Sequence, residues 1–288
     1  MLSGGAAKGS YQVGVLRKWM GEENIDYDLM CGISVGALNI AGIAQTPKGD
    51  PRSAIAHVEA FWLNEVSTRS VYKRWFPFGR LHALWHSSVY DSSPLYNLVH
   101  DNIDVERVKN NGRAVAVGAI CLDTGEYGYG REYDPDFAKW VVASASFPVF
   151  FSPIEIGGRM WGDGGIRHVT PMGQAIKMGA DEIDIIMCSN MNTVARNARE
   201  SSAIPDLMIR TFELMSDKIM RADAKMIRLK NELADTNKMF KKVKIRVVMP
   251  NDNLIDDSFD FDPDVTRRLI ERGYNDASNV VEWGGICP

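Results

Sequence analysis

The feature that most limits what this chain can become is the five-residue turn Gly32-Ile33-Ser34-Val35-Gly36. It lies between a short apolar run at 27–31, read as a buried strand, and a helical stretch opening at Val35. A strand that turns at once into a helix forces the middle residue into a strained backbone conformation. Glycines two positions to either side let neighbouring chain pass close by. The serine oxygen then stands at the positive end of a helix, where developing negative charge is favoured. A glycine-serine turn of this spelling also arises by chance, so the motif gains its meaning from the strand before it and the helix after it.

The rest of the chain supplies a scaffold for such a turn. Runs rich in β-branched residues at 114–122 and 183–188 read as further buried strands, and 243–249, where lysine and arginine alternate with apolar residues, as one nearer an edge. Helices are expected at 10–20, 35–44, 53–66 and 137–145, with a hairpin of 153–156 and 159–161 turned by Gly157-Gly158. Strands alternating with helices imply an α/β fold with a mostly parallel central sheet and helices on both faces. In the C-terminal third, Met208, Phe212, Met215, Ile219, Ala222, Met226, Leu229 and Leu233 step by fours and threes. They form one apolar stripe on a long helix, expected to be spent on packing. A last helix is expected from about Pro263 to about Val281. With no repeat or linker, residues 1–288 read as a single domain, with 201–288 completing it.

Composition excludes several classes. At 45% hydrophobic and 24% charged, 288 residues suffice for a sizeable core. A net charge of -4 gives no basic field to recruit nucleic acid. Cys31, Cys121, Cys188 and Cys287 show no CxxC spacing and read as free thiols in a reducing compartment. The opening MLSGGAAKGS has no basic and apolar leader, and no apolar stretch approaches ~20 residues. A cytoplasmic protein is expected, with peripheral membrane contact resting on a local patch. No histidine–carboxylate cluster has metal-ligand spacing, so neither metal nor cofactor is expected.

Two more glycine-rich elements carry chemistry. Ser3-Gly4-Gly5-Ala6-Ala7-Lys8-Gly9 precedes a helix, and its small residues let backbone N–H groups converge on an anion. It fails as a P-loop, since Ser10-Tyr11 follow Gly9. As a dinucleotide fingerprint it has Ala6 where glycine belongs; Asp26 or Asp28 could serve as the acid, but the turn around Ser34 would then have no role. The third element, Asp163-Gly164-Gly165, follows the hairpin and places a carboxylate on a tight turn.

In this order the three elements resemble the patatin-like phospholipase family: a glycine-rich oxyanion loop ending in a basic residue and glycine, then G-x-S-x-G, then D-G-G or D-G-A. The stretches Ser10-Tyr11-Gln12-Val13-Gly14-Val15-Leu16 and Ala143-Ser144-Ala145-Ser146-Phe147-Pro148 are similar too. The resemblance covers about residues 1–175 as a catalytic core. It implies a patatin-like three-layer fold and a lipid acyl hydrolase of phospholipase A or lipase type. Its catalytic pair is Ser34 and Asp163, with Gly4, Gly5, Ala6 and Val35 at the oxyanion hole and Lys8, Gly9, Gly32, Gly36, Gly164 and Gly165 as motif residues. Phospholipids or other acyl lipids would be its substrates. An acyltransferase or thioesterase with the same pair, or a silent lipid-binding protein, are the alternatives.

Three departures stand out. Ala6 replaces a glycine, which is tolerable if its φ is negative. Val169 stands where relatives have asparagine. Met1-Leu2-Ser3 leaves almost no first strand, so either that strand is very short or the native chain begins upstream. His168 follows Asp163 by only five residues and reads as a turn histidine, while His57, His82, His86 and His100 precede it. Finally, residues 67–98 interleave Tyr72, Trp75, Phe76, Phe78, Trp85, Tyr90 and Tyr96 with Arg69, Lys73, Arg74 and Arg80. This segment is expected to form a cap that meets a lipid surface, with an ordinary core beneath a loop as the rival reading.

Overall fold

The structure is a computed structural model that describes residues 1–74, 87–168, 170–190, 204–234 and 242–282. Among the described residues there are eight strands: β1 (Leu29–Ile33), β2 (Ala114–Cys121), β3 (Tyr127–Arg131), β4 (Ile154–Ile156), β5 (Arg159–Asp163), β6 (Glu182–Ile186), β7 (Lys244–Val248) and β8 (Val281–Glu282). The helices are α1 (Gly9–Leu16), α2 (Val35–Ala44), α3 (Pro51–Asn64), α4 (Thr68–Val71), α5 (Ser93–Asn102), α6 (Val105–Asn110), α7 (Phe137–Ala145), α8 (Met172–Lys177), α9 (Ile204–Ala234) and α10 (Pro263–Asp276).

Pairing is parallel through the centre: β1 with β2, and β6 with β7. Leu2 joins the two halves, bridging in parallel to both Gly32 and Ile186. Leu2 thus stands as a single bridging residue between β1 and β6. Antiparallel pairs of β3 and β5 with β2, β4 with β5 and β8 with β7 extend the centre, so the sheet as a whole is mixed. Alternation along β2 sends Val115, Val117 and Ala119 into the larger core under α1, α2, α3 and α7, and Ala116 into a smaller one with Met172 and Ala175 of α8. Helices thus cover both faces, unequally.

All eight residues of α1 are buried. It meets α10 backbone to backbone: a Cβ on Gly14 would lie 1.9 Å from the Ile270 carbonyl oxygen, and one on Gly273 2.0 Å from that of Tyr11. Only glycine permits that approach, and it anchors the C-terminal helix to the start of the chain.

The structure departs from expectation at β3 and at α9. β3 went unseen because Gly128 and Gly130 break its apolar pattern. They form the floor for two tryptophans, a Cβ on them lying 2.6 Å from Trp161 and 2.3 Å from Trp140. The stripe on α9 is not spent on packing, since Met215, Met226, Leu229 and Leu233 are about half exposed. The helix is fastened through polar side chains, Asn231 bonding both to and from the Val243 backbone. Met208 and Phe212 lie outside the described side chains. Of the expected cap, the flanks are described: Tyr72 and Tyr90 pack with ring centroids 4.6 Å apart and planes tilted by 40°, and Tyr72 lies 6.1 Å from Phe151, a residue of the larger core. Trp75, Phe76, Phe78, Arg80, His82, Trp85 and His86 lie outside the described residues. Cys31, Cys121 and Cys188 are buried free thiols, as expected; Cys287 lies outside the described residues. Among the described residues no helix is long and apolar enough to cross a membrane.

Candidate active site

Two strands approach each other along one flank of β2. β1 runs parallel to it and ends at the pair Ile33–Gly118, while β5 runs antiparallel and ends at Asp163–Ala119. Their ends therefore meet at consecutive residues of β2, which brings Ser34 and Asp163 together across 129 positions of sequence. Ser34 sits at φ 56 and ψ -128, a conformation that costs a non-glycine residue ~1–3 kcal/mol and persists only where its surroundings impose it. The flanking glycines supply that imposition. A Cβ on Gly32 would lie 2.5 Å from the Gly36 carbonyl oxygen, and one on Gly36 2.5 Å from that of Leu2.

The glycine-rich opening lies directly against the serine, a Cβ on Gly4 falling 3.2 Å from the Ser34 Cβ. Gly5 rests on Cys188 and Gly9 on Val35, where Cβ atoms would come within 2.5 and 2.1 Å. Ala6 has φ 49, so its backbone is left-handed and the condition for an easy alanine there, a negative φ, is not met. The tight turn from Gly5 into the helical residues Ala6–Lys8 demands it. A buried polar network pins this loop: Gln12 Nε2 donates to the Ser3 carbonyl at 2.8 Å, and Asn39 Nδ2 to the Gly9 carbonyl and Gln12 Oε1. Trp62 Nε1 donates to Asn39 Oδ1 at 2.7 Å. Lys8 is buried. The Ala7 N–H is engaged by the Ser258 carbonyl and the Lys8 N–H by that of Gly5. The N–H groups of Gly5, Ala6 and Val35 have no acceptor among the described residues, Val35 because it opens α2.

Asp163 is 3% exposed. Its carboxylate accepts from the Gly165 N–H at 2.7 Å, and the Ser34 hydroxyl lies close enough to favour its ionised form. Burial pushes its pKa up to about 7; the Gly165 N–H and the Ser34 hydroxyl oppose that rise without cancelling it. A buried carboxyl poised near neutrality, in contact with a strained serine, is suited to take that serine's proton. Gly164 is required sterically, since a Cβ there would lie 2.4 Å from the Tyr127 hydroxyl and 2.6 Å from the Gly118 carbonyl oxygen.

The end of α7 serves both partners. Ser144 Oγ accepts from the Ser34 N–H at 2.9 Å and donates to the Gly118 carbonyl at 2.7 Å, while the Ser146 carbonyl accepts from the Asp163 N–H at 2.9 Å. Sequence reading noted this Ala-Ser-Ala-Ser stretch without giving it a role. Its hydroxyl in an apolar helix is the signal that was available. Ser144→Ala is expected to cost about 1–3 kcal/mol of stability, because it strands two buried polar groups. It should lower kcat about tenfold or more with KM little changed, by loosening the elbow; equal kcat and a lower Tm would make Ser144 purely structural. His168 stands apart from this pair. Its Nδ1 lies 3.7 Å from Asp223 of α9 and its ring packs edge-on to Tyr127. Val169 lies outside the described residues.

Residues 1–176 of the chain match the family model described as patatin-like phospholipase. Among solved structures, the chain is similar to that described as "Crystal structure of VipD from Legionella pneumophila", with 13% identity and a TM-score of 0.43. That similarity takes in 96% of this chain, which spans 65% of the length of the other. None of the curated proteins matches it.

Proposed function

Since the chain belongs to the patatin-like phospholipase family, we propose that it hydrolyses fatty acyl esters of phospholipids or other polar lipids through Ser34 and Asp163. The observation that carries this reading is the buried Asp163 carboxylate brought beside Ser34 by two strands that end at consecutive residues of β2. As Ser34 Oγ attacks the ester carbonyl, its proton passes to Asp163, and negative charge gathers on the carbonyl oxygen. The N–H groups of Gly5, Ala6 and Val35, with Gly4 leaving room beside the serine, would receive that charge. Each donor of this kind is worth ~10²–10³ in rate. Collapse of the tetrahedral species expels the alcohol with the proton from Asp163 and leaves an acyl-serine. Water, deprotonated by the same carboxylate, then releases the fatty acid and restores Ser34. Histidine has no part in this scheme.

A fluorescent fluorophosphonate tests it directly. One label per chain is expected, found on the peptide carrying Ser34 and absent from the Ser34→Ala protein. Labelling that survives the substitution would place the nucleophile elsewhere.

A further inference from the structure

α9 is 31 residues long, so it extends about 46 Å. Its described anchors are polar: the His168–Asp223 contact and the Asn231–Val243 pair. It also touches the turn Gly164–Ile166 that follows Asp163. On the outer side, Leu207, Leu214, Met215, Met226, Leu229 and Leu233 are each between 45% and 53% exposed. At 100° per residue these six fall within an arc of about 120°. Exposed Lys218 and Lys225 fall inside the same arc. Between residues 218 and 230 there are five Lys or Arg and one acid, in a chain whose net charge is -4.

Charge decides what can cover this face. A second copy laid against it would bury Lys218 and Lys225, and the one carboxylate in the arc, Glu232 at its edge, is already paired with Arg228 at 3.0 Å. An anionic lipid surface accepts both components. Leucine and methionine enter the boundary between headgroups and acyl chains, while lysines lay their stems along it and reach phosphate. We propose that the outer face of α9 is the membrane-docking surface of this protein, selective for anionic lipid. The proposal rests on the lipid-hydrolase reading for its choice of surface. It places the bilayer on the helix fastened to the catalytic turn rather than on residues 67–98.

The test uses sedimentation with vesicles of equal parts phosphatidylglycerol and phosphatidylcholine, and with pure phosphatidylcholine, on a Ser34→Ala background so that no lipid is consumed. Leu214→Ser/Met226→Ser/Leu229→Ser should weaken binding to the mixed vesicles about tenfold or more. Lys218→Glu/Lys225→Glu should abolish the preference for the anionic mixture, each basic residue near such a surface contributing about fivefold. With Ser34 restored, both variants should keep the parental melting temperature and turnover of p-nitrophenyl butyrate, because the altered side chains are exposed. Unchanged sedimentation of the triple variant overturns the proposal. So does a dimeric parent that the triple variant converts to monomer, which would make the face a contact between copies. If the parent binds vesicles as expected but turns over no soluble ester, the docking surface stands and the hydrolase reading falls.

Discussion

Ser34→Ala and Asp163→Asn should each remove ester hydrolysis while leaving the protein folded. Without the serine oxygen there is no acyl-enzyme, and the donors around it can only polarise an ester that nothing attacks. Loss of at least ~10³-fold is expected. Asp163→Asn is the more discriminating change. Asparagine keeps the shape and an oxygen for the Gly165 N–H, which donates to Asp163 at 2.7 Å. It cannot accept the proton of Ser34. General-base assistance is worth ~10²–10⁴, so kcat should fall by that factor with KM nearly constant. Measurement on a monomeric short-chain ester separates this loss from any effect on lipid binding. Retention of more than about a tenth of the parental rate would exclude Asp163 as the base.

What the sequence made legible follows from how local each feature is. The Ser34 elbow, the Gly157-Gly158 hairpin and helix α2 are set by neighbours within a few residues, and each lies where residue pattern placed it. The joining of Ser34 to Asp163 was legible only as resemblance, because it depends on two strands ending at adjacent residues of β2. Ser144 stood out only as a hydroxyl in an apolar helix, and its role was not legible for the same reason: its partners, Ser34 and Gly118, lie on other elements. The glycines of β3 read as breakers, yet they are where tryptophans from α7 and β5 press against the sheet. For α9 the periodicity was right and the inference from it wrong. An amphipathic stripe shows that one face of a helix differs from the other, not what that face meets. Ala6 shows the reverse failure: a loop that resembles its relatives closely carries an alanine at φ 49, where a glycine would be unstrained.

The buried carboxyl also sets opposite pH dependences for activity and stability. Burial holds the Asp163 pKa at about 7, against 3.8 for an exposed aspartate. Hydrolysis needs the ionised form, so kcat/KM should rise with pH through about 7 and level off above it. Stability runs the other way. Between about pH 4 and pH 7 the native protein holds a proton on Asp163 that the unfolded chain has released, so the free energy of unfolding falls as pH rises. About three pKa units, at 1.36 kcal/mol each, amount to at most ~4 kcal/mol, lost in full above pH 7 and absent below pH 4. Asparagine at this position never ionises. Asp163→Asn should therefore melt higher than the parent at pH 8 by several degrees, and the gap should close as the pH is lowered towards 4. The inactive variant would be the more stable one wherever the enzyme works best. Thermal melts of both proteins across this range, set beside the rate profile of the parent, should show the melting-temperature gap widening from about pH 4 and levelling off near 7, where the rate reaches half its maximum. A gap in melting temperature that does not change with pH would show that Asp163 is ionised throughout in the native protein. The group controlling the rate near neutrality would then have to be sought elsewhere.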